Sequence, residues 1–116
     1  MVELWHISRC SKSRAAKELL EERGVMFRER RYLDNPPTAE ELDAVLTALG
    51  REPWEVARLG EPVALQLGLR EWPHDRGRWV AAMVAHPILI ERPVLVADDG
   101  RAALGRPPVD VLQLLD

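Results

Sequence analysis

The chain has 116 residues, enough for one compact core, and its 47% hydrophobic and 30% charged residues form an ordinary globular composition. A net charge of −3 argues against a general nucleic-acid surface, and a single cysteine excludes an internal disulfide. No apolar run reaches the roughly 18 residues of a membrane span, and MVELWHIS lacks the basic start and long apolar segment of a signal peptide, so a cytoplasmic protein is expected.

Val2–Ile7 reads as a short buried strand. Ser11–Arg23 follows with Ala15, Ala16, Leu19 and Leu20 at helical spacing, and Gly24 stops it. Val25–Leu33 alternates through Met26, Arg28, Arg30 and Tyr32 as a second strand, giving a strand–helix–strand unit that is right-handed and parallel by the usual rule. The charge run Glu18–Arg31 reads as solvated surface. Asn35-Pro36-Pro37 breaks the chain, and Thr38 with Glu41 forms a capping box that starts a helix running to Gly50. Residues 51 to 86 are helical in short pieces, cut by Pro53, Gly60, Pro62, Gly68 and Pro73. Pro93–Ala97 and Arg101–Leu104 are two further strands joined by a turn at Asp98–Gly100, and Pro107-Pro108 opens a last helix. The order βαβ, helices, ββα is that of an α/β thioredoxin-like fold with a helical insertion. Residues 34 to 86 are too apolar for a linker, so residues 1–116 are expected to form a single domain.

Cys10 sits where the first strand gives way to the first helix, with Arg9, Lys12 and Arg14 nearby. Unpaired backbone N–H groups and the helix dipole favour a thiolate there. Lowering a thiol pKa from about 8.5 to about 6.5 raises the thiolate fraction at neutral pH about 25-fold, while intrinsic nucleophilicity falls roughly 6–10-fold. The net gain is only about 3-fold, so holding the electrophile matters more than activating the sulfur. A basic helix start is also an anion site, and arginine forks suit tetrahedral oxyanions. Fourteen arginines, however, select nothing by number alone.

Five stretches narrow the choice: HISRCSKSR at 6–14, YLDNPP at 32–37, RLGEPVALQLGL at 58–69, HPILIERPVLV at 86–96 and GRPPVDVL at 105–112. In this order and spacing they resemble the glutaredoxin-coupled arsenate reductase family, which includes the Spx-type regulators. The resemblance implies that Cys10 attacks arsenate, that glutathione joins the arsenic, and that glutaredoxin resolves the mixed disulfide as arsenite leaves. It implies Arg58, Arg92 and Arg106 as the oxyanion ligands, His6 and Ser13 as supports of the thiolate, and Arg92-Pro93 as a cis bond beside the site. No bound cofactor is expected, and three scattered histidines with one cysteine lack metal-ligand spacing.

Two departures stand out. Ile7-Ser8 replaces the family's usual Asn-Pro, and Ser13 stands where a regulator often carries the second cysteine of C-x-x-C. From the residues alone, Cys10 is open to a second reading as an inert thiol, His6 as a core residue, Ser13 as a capping hydroxyl and Arg58 as a solvated side chain. His86 and the four tryptophans read as structural. Two further functions stay open: a non-enzymatic Spx-like regulator that binds RNA polymerase, and a reductase of another thiol-linked substrate.

Overall fold

The structure, a computed structural model, describes residues 1–115; Asp116, the last residue of the expected domain, lies outside the described residues. The fold is thioredoxin-like, with a helical insertion. The described residues form two compact units, residues 1–35 with 92–115 and residues 36–91.

In the first unit β1 (Val2–His6), α1 (Ser11–Glu22), β2 (Phe27–Arg31), β3 (Val94–Val96) and β4 (Ala102–Leu104) build a four-stranded sheet of order β2-β1-β3-β4. β1 and β2 are parallel, with Leu4 opposite Glu29 and His6 opposite Arg31. β1 runs antiparallel to β3, and β3 to β4. Because strand side chains alternate between faces, Leu4 and His6 share one face. Leu4, Ala16, Leu20, Leu95 and Val111 bury that face under α1 and the chain's last turn, with Leu112, Leu114 and Leu115 packed on the same cluster. Trp5 points to the other face, 6.3 Å from Tyr32, with Arg30 over its ring.

The closing segment Pro108–Leu115 is 3₁₀ rather than the expected α-helix. Val109 and Val111, branched at Cβ and stiff at χ1, weaken the α-helical preference of this short segment, while the prolines at its start are neutral to that choice.

The second unit holds α2 (Ala39–Leu49), α3 (Pro53–Val56), α4 (Pro62–Leu67) and α5 (Arg76–Ala85). The expected capping box is present: Glu41 N donates to Thr38 Oγ1 at 3.1 Å, and Thr38 N to Glu41 Oε1 at 2.9 Å. Gly50 ends α2 at φ 67°, a conformation that side chains with a Cβ rarely adopt. Trp79 is buried here, and Trp54 and Trp72 are half-buried with edge-on contacts to it. His86 accepts from Leu89 N through its carbonyl at the start of a short 3₁₀ turn, a structural task.

Candidate active site

Cys10 is the N-cap residue of α1, with extended backbone (φ −87°, ψ 122°), and no side chain caps the helix start. Its N–H donates to Ile7 O at 3.0 Å, closing a turn over Ile7-Ser8-Arg9-Cys10. Arg14 Nη1 donates to Ser8 O at 3.0 Å, which braces the same loop from the helix. These two bonds shape the loop where a proline is missing. Ile7 is buried and Ser8 exposed.

The register explains how distant residues meet at this end of the sheet. Trp5 pairs with Val94, and Val94 with Leu104. Extended by two residues, the β3–β4 pairing sets Arg92 level with Arg106, at the end of the sheet where β1 leads into the Cys10 turn. Side-chain and backbone contacts agree. Arg106 Nε donates to Arg92 O at 2.8 Å, and Gly105 N to Pro93 O at 2.8 Å. The bonds Arg92-Pro93 and Arg106-Pro107 are both cis. At Gly105 a Cβ would stand 2.5 Å from Pro93 Cγ and 3.1 Å from Val111 Cγ1, so only glycine admits this close approach.

The Cys10 sulfur is partly exposed. Burial pushes its pKa up, but the Ser13 N–H, the Arg92 side chain and the Lys12 N–H all hydrogen-bond to it, and together with the Arg92 charge they bring it down to about 7. The cation that reaches the thiol is therefore Arg92, two residues before β3 and itself buried. The neighbouring Arg14, which the sequence sets beside the thiol, spends its guanidinium on Ser8 O.

Ser13 is fully buried, and its hydroxyl accepts from Ile7 N at a long 3.4 Å. It thus ties the end of β1 to α1, while its backbone N–H serves the thiol; it does not cap the helix. His6 is buried at 2% exposure, with Nε2 3.4 Å from Glu29 Oε1. Burial lowers its pKa, Glu29 opposes this, and Lys17, Arg31 and Arg14 add to the lowering. His6 is therefore neutral at neutral pH, and any support it gives the site comes from a ring dipole rather than a full charge.

Arg58 belongs to the second unit. Its Nε lies 3.2 Å from Glu61 Oε1 and its Nη1 2.8 Å from Glu91 Oε1, and its backbone N–H donates to Leu89 O at 2.8 Å. Its guanidinium is already bound to two carboxylates. Of the six residues singled out in the sequence, Cys10, His6, Ser13, Arg92 and Arg106 thus fall in the first unit. Cys10, Ser13 and Arg92 join through contacts to the thiol, and Arg106 through Arg92.

The sequence reading missed Glu29. It sits inside the supposedly solvated charge run, yet the register turns it to the helix-facing side of the sheet, where Lys17 Nζ holds it at 3.0 Å. The signal was the alternation Phe27-Glu29-Arg31, complementary to the one used. Among the described residues no group of His, Cys, Asp and Glu is arranged to hold a metal, and no helix is long and apolar enough to cross a membrane.

Residues 5–114 match the family model described as ArsC family. The chain is 44% identical over 108 residues to an uncharacterized protein in the glnII region of Streptomyces viridochromogenes, covering 90% of this chain and 91% of that one. It is 40% identical over 107 residues to an arsenate reductase of Neisseria meningitidis serogroup B, covering 91% of each. An arsenate reductase from Vibrio cholerae superposes with a TM-score of 0.90 at 38% identity, over 97% of this chain and 95% of that structure.

Proposed function

The chain belongs to the ArsC family, and from that membership we propose that it reduces arsenate to arsenite through a Cys10–arsenic adduct, with glutathione and glutaredoxin supplying the electrons. The observation that carries this reading is the thiol itself: one partly exposed sulfur, held near a pKa of about 7 by Arg92 and two backbone N–H groups. About half of it is thiolate at neutral pH.

The thiolate attacks As(V) and an oxygen leaves as water, forming an S–As bond. The approaching oxyanion is repelled by the sulfur's charge, at about 4 kcal/mol for unit charges about 4 Å apart at an effective dielectric of about 20. Cations must offset that. Arg92 and Arg106, joined through the Arg92 carbonyl, take this role, with Arg58 as the third arginine of the family pattern. Arsenate at Arg58 would have to compete with Glu61 and Glu91. Ser13 holds the thiol through its backbone N–H, and His6 supports the loop from the end of β1.

The electron balance requires a second thiol. One arsenate and two thiols give one arsenite, one disulfide and one water. The chain has a single cysteine, so the second sulfur comes from another molecule. Glutathione fits as that thiol and glutaredoxin as the agent that reduces the resulting disulfide. Both suit a cytoplasmic site, where thiols are kept reduced.

The test is arsenite formation with glutathione, glutaredoxin, glutathione reductase and NADPH, for wild type and Cys10→Ser. Turnover by wild type and none by a folded Cys10→Ser is expected. Failure of wild type to turn over arsenate, or comparable turnover by Cys10→Ser, overturns the reading.

A further inference from the structure

Among the described residues of the first unit, His6 is one of the three buried polar or charged ones, with Ser13 and Arg92, and its surroundings are unusual. Nδ1 is buried and makes no hydrogen bond, and Glu29 Oε1 is also buried and makes none of ordinary geometry. The atom of His6 nearest that carboxylate is Nε2, at 3.4 Å. A buried carboxylate oxygen without a donor is costly, and an N–H on the ring nitrogen that faces it at 3.4 Å offsets part of that cost electrostatically, whereas a lone pair there would add repulsion. A neutral imidazole has only one N–H. If Nε2 carries it, the N–H faces the Glu29 carboxylate and Nδ1 keeps a lone pair; if Nδ1 carries it, a lone pair faces the carboxylate and a buried N–H goes without an acceptor.

We infer that Glu29 is a positioning residue: it fixes His6 in the Nε2–H tautomer and holds the ring against the α1 face of the sheet. Lys17, 3.0 Å away, and Arg31, 3.6 Å away, keep Glu29 ionised. The charged groups around His6 are Glu29 and Arg31 from β2 and Arg14, Lys17, Glu18 and Glu21 from α1 in one cleft, and Arg9 from the Cys10 turn and Asp34 from the loop after β2 in a second. The third neighbour of β1, β3, carries only the uncharged Val94, Leu95 and Val96. Glu29 and Lys17 thus pull the ring's protonation in opposite directions, the carboxylate favouring the imidazolium and the ammonium opposing it. The arrangement leaves one ring nitrogen as a fixed acceptor at the end of the strand that leads into the Cys10 turn. Its consequence for the reaction rests on the proposed role of His6 beside the thiol; the tautomer itself does not.

The experiment is a long-range ¹H–¹⁵N spectrum of the histidine rings against pH, with His6→Gln identifying the resonance. Wild type is expected in the Nε2–H form at neutral pH. Glu29→Leu, which removes acceptor and charge, loses that preference and lowers the His6 midpoint. Glu29→Gln, which keeps an acceptor oxygen, restores the tautomer but not the midpoint. Lys17→Met keeps the tautomer and raises the midpoint. A residue that merely filled space would not split tautomer from midpoint in this way. An Nδ1–H wild type, or a folded Glu29→Leu with both readouts unchanged, overturns the inference. If arsenate is not turned over at all, the proposed function fails while these readouts still decide the role of Glu29.

Discussion

Arg92 offers the sharpest handle on the candidate site, because the lone cysteine makes every thiol measurement unambiguous. Arg92→Gln removes the side-chain hydrogen bond and the charge that help bring the Cys10 thiol down to about 7. The Ser13 and Lys12 N–H groups remain. A hydrogen bond to a charged group is worth about 1.5–3 kcal/mol, which corresponds to roughly one to two pKa units. The thiol midpoint is therefore expected to rise from about 7 to between about 8 and 9.

The rate of alkylation by iodoacetamide makes this visible, and the sign depends on pH. At neutral pH the thiolate fraction falls from about one half to about 1–9%. The more basic thiolate is about 2.5–10-fold more reactive. The net result is a loss of about 2- to 8-fold near neutrality and a gain of about 2.5–10-fold at pH values where both thiols are ionised. The two rate profiles must therefore cross. A variant whose midpoint stays near 7, with a melting temperature close to wild type, would show that Arg92 does not reach the sulfur. Loss of fold would be seen in the melting curve, and Arg92→Lys, which keeps the charge and loses the fork, then gives the same test with a smaller rise.

Two further outcomes are expected. Gly105→Ala drives a methyl into Pro93 and Val111; overpacking of this kind costs about 1–3 kcal/mol, so the melting temperature should fall by about 4 °C or more, and an unchanged one would show that the Gly105–Pro93 contact yields freely. The second concerns pH. The Cys10 pKa is depressed in the folded chain, from 9.0 to about 7, so the folded state binds fewer protons than the unfolded state between those values. The resulting stabilisation is complete above pH 9 and is lost as pH falls through 7. Wild type should therefore gain stability over Cys10→Ser as pH rises across that window, by at most about 2–3 kcal/mol and by less after solvent screening of a partly exposed sulfur. Denaturant midpoints of the two proteins that run parallel from pH 6 to pH 10 would contradict the depressed thiol.

What a linear sequence can disclose about such a site follows from how each part is encoded. The turn from β1 into α1 was legible because apolar residues at strand spacing give way to Ala16 and Leu20 at helical spacing, and both helical residues lie in the core. The Thr38–Glu41 box and the Asp98–Gly100 turn were legible because their chemistry is local, complete within four residues. Arg92 and Arg106 were reached only through a family resemblance. Nothing in their own neighbourhoods says that they meet; the antiparallel register of β1, β3 and β4 brings them to one end of the sheet, and register is a property of pairs of strands. Glu29 shows the same limit from the other side. Its neighbours Arg28, Arg30 and Arg31 make the segment read as solvated, yet strand alternation and the parallel pairing with Leu4 carry its carboxylate to His6 and Lys17. Local chemistry therefore names the nucleophile, while strand pairing decides which charges surround it. The positive environment of Cys10 is a case in point: the cations adjacent in sequence suggested it, and a guanidinium 82 positions along the chain supplies it.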